Sequence, residues 1–435
     1  MVQDFGFVLF LIKRILKTQI CMKQFLKLLA ITITIATTMV SCKDDGDVIY
    51  MLPETNPIQL TIEQQTLRDN NNEFAWRLFQ TMQEQQGEGG MVLSPLGVTY
   101  MLGMLNAGAA GTTRNEITAA LGMESPEAVN EFCKKLIDGS PNVDPAATVR
   151  IANCIEVNSA RGLSLLKQYV NDMKHYYSAQ IDALDFTKGG TLDKINKWCK
   201  NNTGGMIPSI LDEINPDAAM YLLNAIYFNA DWTEKFDIRD TNNSSFTKAD
   251  GTVVTRPLMH RKALALACES ELGSMLCIPF GSGGYRMYVM LPAEGKTLNG
   301  FISDMTQQDL TLHLDAINMT PHEVDILMPR FEITSEVDLI KVLEPMGIHS
   351  AFNSSANFSN MSNTSLFVSS MKQKAKIEVN EDGAKASAVT VSEMWASSPG
   401  PVEYQKSDFH ATRLFLYFIL EESTRTIFFI GTYCG

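Results

Sequence analysis

Apolar residues recur three and four apart at Phe74, Leu78, Phe79 and Met82, the spacing of one buried helix face. Ser94-Pro95 opens a second helix, serine as the cap and proline at the first helical position, and the apolar run continues through Leu105. Thr113 and Glu116 form a capping-box pattern ahead of residues 117–121, with Gly122 placed to stop that helix. Short apolar or aromatic runs bounded by turn residues predict strands over 220–228, 287–291, 324–328, 414–420 and 427–430. Helices dominate the first half and strands the second, which predicts an α+β fold with a sheet built from distant segments.

Composition narrows the function. The chain has 435 residues, 45% of them apolar and 20% charged, enough to bury a large core. Its 36 basic against 49 acidic residues give a net charge of −13, which argues against nucleic acid and against electrostatic docking on anionic lipid. The length allows up to three domains, yet no long linker, repeat or low-complexity block follows residue 57, so 58–435 reads as one domain.

The N-terminus reads as an address. In residues 22–42, Lys23 and Lys27 precede a short apolar stretch ending in small residues, the pattern of a signal peptide over 22–41 and too short for a membrane span. Met39-Val40-Ser41-Cys42 resembles a lipobox with Met as a departure, and Lys43-Asp44-Asp45 resembles a bacterial surface-export tag. The expectation is lipidation at Cys42 and a surface or extracellular location, with a plain secretory signal or an uncleaved anchor as the alternatives. Residues 1–21 read as an extension upstream of a true start at Met22, and 42–57, with Pro53 and Pro57, as a tether.

Catalytic motifs are missing. There is no GxSxG elbow, HExxH helix, Walker loop or GxGxxG after a strand, so no enzyme is predicted and no cofactor is implied. Gly281-Ser282-Gly283-Gly284 lacks a lysine and reads as a turn. The six histidines never cluster in sequence, and a spatial triad is neither indicated nor excluded. Beyond Cys21 and Cys42, six scattered cysteines without CxxC read as buried thiols, with no structural zinc or other metal predicted.

One segment stands out. Residues 381–398 read EDGAKASAVTVSEMWASS, free of proline until Pro399-Gly400-Pro401. If extended, Ala384, Ala386, Ala388, Thr390, Ser392 and Met394 share one small, uncharged face, while Lys385, Ser387, Val389, Val391 and Glu393 share the other. Small residues are unusual in an ordinary strand but suit one that waits outside as a loop and slides into a sheet later. Gly383 would be its hinge and the prolines its end. A flexible Ala/Ser linker between two strands is the alternative.

These motifs closely resemble the serpins over about residues 60–435. Asn72-Glu73-Phe74-Ala75-Trp76-Arg77-Leu78-Phe79 resembles the family's first helix, and Leu93-Ser94-Pro95-Leu96 with 107–113 its second helix and following turn. Leu223-Asn224-Ala225-Ile226-Tyr227-Phe228 through Trp232 resembles a central-sheet strand. Met328-Pro329-Arg330-Phe331, Met346-Gly347-Ile348 and Phe409-His410-Ala411 leading to 415–419 follow in family order. The resemblance implies helices around a large central mixed sheet with two smaller sheets, and an exposed reactive-centre loop near the C-terminus. It implies a hinge at Glu381, Asp382, Gly383 and Ala384, continuing through Ala386, Ser387, Ala388, Val389 and Thr390. Ser94, Asn224 and Gln373 resemble polar shutter residues, and Trp232 a breach residue. Gln373 stands where a histidine is usual, and Gly97 where a serine is usual.

The implied activity is suicide inhibition of serine proteases: the protease cuts the loop, becomes an acyl-enzyme, and is distorted when the freed end inserts into the sheet. Family spacing puts the cut about fourteen residues beyond Gly383, at Ser397-Ser398, with Met394, Trp395 and Ala396 as alternatives. No Arg or Lys lies between Val389 and Val402, so elastase- or chymotrypsin-like targets are expected and trypsin-like ones are not. The inhibitor is expected to act as a monomer, touching membrane only through a lipid anchor. A non-inhibitory binding module, an inhibitor of papain-like cysteine proteases, and a hydrolase with a spatial triad are the other readings.

Overall fold

The computed structural model describes residues 53–86, 89–123, 125–317, 321–384 and 404–435. The leader, Cys42 and most of the tether lie outside these residues, as do 385–403.

The chain opens with helix α1 (Ile62–Gln86), whose Phe74, Leu78, Phe79 and Met82 are all fully buried as their spacing predicts. Strand β1 (Met91–Leu93) leads to α2 (Pro95–Gly108), and Ser94 caps α2 by accepting the Gly97 N–H. All but one residue of α2 is buried, so this helix runs through the interior, touching α1, a central strand and the C-terminal strand. Next come α3 (Gly111–Leu121), α4 (Pro126–Gly139), β2 (Ala147–Asn158), α5 (Lys167–Tyr177), β3 (Gln180–Leu184), α6 (Thr191–Asn202) and β4 (Met220–Asp231). The second half holds β5 (Asn242–Thr247), β6 (Val253–Glu269), β7 (Gly273–Phe280), β8 (Tyr285–Pro292), α7 (Leu298–Asp304), α8 (Gln307–Ile317), β9 (Pro321–Pro329), β10 (Phe331–Asp338) and α9 (Leu339–Leu343). It ends with β11 (Lys372–Val379), β12 (Gly383–Ala384), β13 (Lys406–His410), β14 (Phe415–Glu421) and β15 (Thr426–Tyr433).

Three sheets result. A nine-stranded sheet runs β1-β15-β14-β8-β7-β6-β9-β13 with β5 on β6, antiparallel except where β13 pairs parallel with β9. A four-stranded sheet runs β12-β4-β2-β3, and a two-stranded sheet joins β10 to β11. The α+β class and the mixed sheet with smaller companions agree with expectation. No described helix is long and apolar enough to cross a membrane.

One local expectation needs correction. The Thr113/Glu116 capping box does not form: α3 begins at Gly111 and its cap residue, Ala110, makes no side-chain bond. Glu116 instead accepts the His349 and Ser350 N–H groups at 2.9 and 2.8 Å, and Thr113 Oγ1 accepts that of Asn357 at 3.0 Å, docking a distant loop. Helices do dominate the first half and strands the second, with the twelve-residue β2 in the first half and the short α7, α8 and α9 in the second as the exceptions. Gly281-Ser282-Gly283-Gly284 is a turn as predicted. The Ser282 and Gly284 N–H groups donate to the Asp144 carboxylate at 2.8 and 3.1 Å. The six cysteines from Cys133 onward are free thiols, four of them buried.

Candidate functional site

The four- and two-stranded sheets are halves of one layer that do not join. β4 pairs with β2 along one edge, but on the other only Ala230 and Asp231 have partners, Ala384 and Gly383 of β12. β11 pairs with β10 along one edge and has no ladder on the other among the described residues. The two strands run the same way, since residues following each meet at one end: the Trp232 N–H donates to Asp382 O at 2.8 Å and its indole Nε1–H to Asn380 O at 2.9 Å. Between them lies a narrow cleft lined by Phe228, Ile377, Ala384, Ile419 and Phe429. Among the described residues the facing edges of β4 before Ala230 and of β11 carry no ladder, which leaves edge donors and acceptors on both sides of this slot.

The closed end is bolted by polar contacts. Trp232 stacks on Phe280 at 4.3 Å, which fixes its indole under the 380–382 turn. Asn380 Oδ1 accepts the N–H groups of Asp382 and Gly383, at 3.0 and 3.2 Å, and folds the chain back toward β4. Gly383 has φ +152°, and a Cβ there would collide with Ala230 O, so only glycine fits this bend. Lys235 Nζ reaches Asp231 at 2.9 Å and Asp382 at 3.0 Å. Burial works against its charge, but these two hydrogen bonds outweigh burial and hold its pKa above the ordinary lysine value. Buried Glu381 accepts from Thr241 Oγ1 at 2.8 Å and faces Arg330 at 3.6 Å.

Lower down, two separate networks hold the slot's walls. On the β11 side, Gln373 Nε2 donates to Ser94 O at 2.8 Å, the Ser94 N–H returns a bond to Gln373 Oε1 at 2.9 Å, and Ser94 Oγ donates to Phe428 O of β15. On the β4 side, Asn224 Nδ2 donates to Asn153 Oδ1 at 2.9 Å, and Asn153 Nδ2 to Tyr177 O at 2.8 Å. No hydrogen bond links the two among the described residues. They come closest at Gly97, where a Cβ would overlap Asn224 Oδ1 and sit 3.1 Å from Gln373 Nε2. The hydroxyl-bearing residue usual in the family would not fit here without displacing an amide. Each wall is tied to a different part of the body, which leaves them free to part.

The structure thus gathers Ser94, Asn224, Gln373, Trp232, Glu381, Asp382, Gly383 and Ala384 around one slot. Ala386, Ser387, Ala388, Val389, Thr390 and the candidate cut sites Met394, Trp395, Ala396, Ser397 and Ser398 lie outside the described residues. Sequence reading missed Asn153, Asn380 and Lys235; only their neighbours in space, not their neighbours in sequence, give them roles.

The hydrolase reading meets two Ser–His contacts among the described residues, Ser270 Oγ to His313 Nε2 at 2.8 Å and a longer one from Ser407 Oγ to His322 Nδ1 at 3.4 Å. Ser270 Oγ also accepts the Leu272 and Gly273 N–H groups at 3.1 and 3.4 Å, and His313 Nδ1 faces the Asp309 backbone oxygen, not its carboxylate. Ser270 thus holds a turn, and among the described residues neither imidazole is hydrogen-bonded to a carboxylate as a triad requires.

The structure therefore has a split layer whose facing edges are unladdered among the described residues, polar bolts at one end, and a chain that folds back onto β4 there. The chain belongs to the serpin family: the family model described as Serpin (serine protease inhibitor) matches residues 69–435. Serpin I2 of Homo sapiens is 29% identical over 371 residues, covering 83% of this chain and 89% of that protein. The native-state structure of the thermophilic serpin Tengpin superposes with a TM-score of 0.77 at 26% identity, covering 88% of this chain and 97% of that one. Thyroxine-binding globulin in complex with thyroxine gives 0.76 at 25% identity, covering 85% and 99%. Serpins as a family are protease inhibitors rather than enzymes.

Proposed function

We propose that this chain is a suicide inhibitor of serine proteases that traps its target by inserting the cleaved segment 384–394 between β4 and β11. The pairing of Gly383 and Ala384 onto the end of β4, beside edges of β4 and β11 that are unladdered among the described residues, carries this reading. Continuing the antiparallel register Ala384↔Ala230 without a slip sets Ala386 opposite Phe228, Ala388 opposite Ile226, Thr390 opposite Asn224 and Met394 opposite Met220, the first residue of β4. Phe228 and Ile226 belong to the main core, so the small face of the segment would meet it and Lys385 would point away.

β4 has twelve residues, two of them paired with β12, so ten remain free. The inserted ribbon is therefore shorter than the whole 381–398 segment, spanning roughly 36 Å at about 3.3 Å per residue. At about 1 kcal/mol net per hydrogen bond, filling both edges releases on the order of 10 kcal/mol, enough to drag a tethered protease. The uncut fold would then persist for kinetic reasons. Targets are elastase- or chymotrypsin-like, with the cut at Ser397-Ser398 or at Met394, Trp395 or Ala396. The chain acts as a monomer outside the cytoplasm, anchored through Cys42.

The test mixes the full chain with elastase, chymotrypsin, trypsin and papain and runs denaturing gels with mass analysis. A complex with elastase or chymotrypsin that survives boiling in detergent supports the reading, as does a rise in Tm of the nicked protein. Clean cleavage with neither complex nor Tm gain would make this a binding module, the role named for thyroxine-binding globulin. A stable complex with trypsin or papain alone would overturn the target class.

A further inference from the structure

We propose that Asp325, Asp408 and His410 bind a divalent transition-metal ion on the exposed face of the nine-stranded sheet, away from the slot. Asp325 of β9 and Asp408 of β13 are direct partners in the parallel pair, and His410 lies two residues along on the same face. One carboxylate oxygen from each aspartate and one imidazole nitrogen of His410 fall within 4.8 Å of one another. Asp325 Oδ1 and His410 Nε2 are 3.4 Å apart. Zinc bonded tetrahedrally at about 2.0–2.1 Å holds its ligand atoms about 3.3 Å apart, so this edge is already set and Asp408 needs only a rotamer change.

The electrostatics leave room for a cation. Asp325 and Asp408 are like charges side by side, and the Asp408 side chain has no hydrogen bond or ion pair among the described residues. The nearest compensating charge is Lys262, whose Nζ is 3.0 Å from Asp325 Oδ2. His260 Nε2 is 2.9 Å from Asp325 Oδ1 and orients that carboxylate, a positioning role. Two oxygens and a ring nitrogen suit zinc or a similar metal; calcium wants six to eight oxygens, which this face does not offer. Lys262 and the solvent exposure hold the affinity to the micromolar range.

The ion would also pin an edge. Among the described residues β13 has one neighbour, β9, and it begins shortly after residues 385–403, so a bridge from Asp408 and His410 to Asp325 would tie down the strand that follows that segment.

Calorimetry tests this on the full chain, prepared without a polyhistidine tag and stripped with chelator, titrated with zinc chloride and separately with calcium chloride. One zinc site per chain is expected, with no calcium heat and a Tm rise of about 2–4 °C at a hundredfold excess over Kd. His410→Gln and Asp408→Asn, both at exposed positions and not expected to disturb folding, should each weaken binding at least tenfold. His260→Ala should weaken it about tenfold, and the remote His175→Ala should change nothing. Absent zinc heat, zinc binding undiminished in His410→Gln and Asp408→Asn, or calcium binding as tight as zinc would each overturn the proposal.

Discussion

The nine-stranded sheet and the split layer are made of the same backbone but finished differently. β14 has a full ladder on each side and every residue of β14 and β15 is buried. Its side chains lock as aromatics, with Phe418 stacked on Tyr288 at 5.1 Å and Phe331 between Tyr417 and Tyr433. β4 has one full ladder, and the space beneath it holds Asn153, Asn224, Gln373 and Ser94 where the other sheet has rings. Apolar packing gives no penalty-free way to move apart, whereas paired amides held to different supports can exchange partners. One region fixes the body; the other has an unpaired edge on each side among the described residues, which the proposed insertion would complete.

The largest expected effect comes from blocking that completion. Thr390→Arg would set a guanidinium opposite Asn224 in the inserted register, on the face that meets the core. Burying an unpaired charge costs several kcal/mol, enough to slow insertion a hundredfold or more. The expected outcome is a variant with unchanged native Tm that the target protease cuts without forming a stable complex. A complex yield equal to wild type would show that the inserted register is not the one continued from Ala384.

A paired substitution separates the two regions. Phe418→Ala should destabilise the native fold by about 3–5 kcal/mol by opening a cavity beside Tyr288. Gln373→Ala strips two bonds from Ser94 and should cost about 2–3 kcal/mol. The discriminating measurement is loss of inhibitory activity on warm storage. Freeing the β11 wall should accelerate that loss more per kcal/mol than Phe418→Ala does. Equal losses at matched stability would mean that the slot's walls are not specially poised.

The fold class was legible because its strongest signals are local: a continuous apolar run such as 220–228 reads as a buried strand wherever it lies. β2 was not, because Arg150, Asn153 and Glu156 break its pattern; Asn153 and Glu156 are nevertheless buried, Asn153 through Tyr177 and Asn224 far along the chain. β6 hid likewise behind His260-Arg261-Lys262, where β9 is the one ladder partner among the described residues, because β5 pairs only as far as Leu258 and β7 only from Leu266. The alternation after Gly383 announces a strand in search of a sheet, yet nothing local names the edges that receive it. Thr113 and Glu116 mislead for the converse reason: a good capping pattern was taken over by Ser350, more than two hundred residues away. Asp325, Asp408 and His410 meet only through a parallel register that no spacing reveals.

The smallest effect probes whether strain is concentrated in the split layer. Glu156, on β2, is buried; its Oε1 accepts the Cys154 thiol at 3.2 Å and its Oε2 has no partner. Cys154 packs with Ile195 and Cys199 of α6, so this carboxyl lies at the edge of the seam between α6 and the sheet. Burial raises its pKa above the ordinary glutamate value, assisted by Asp182 and opposed by the Cys154 hydrogen bond and Lys194. A raised folded value means that its contribution to stability is fully present below the unfolded pKa, near 4.5, and is lost as pH rises through the folded one. Glu156→Gln keeps the neutral form at every pH. It should therefore gain about 1 kcal/mol over wild type at pH 8 and almost nothing at pH 4, read as the difference in unfolding midpoint at the two pH values. A gain equal at both would trace to packing alone, and no gain at either would show that the buried carboxylate finds water and that this seam carries no ionisation strain.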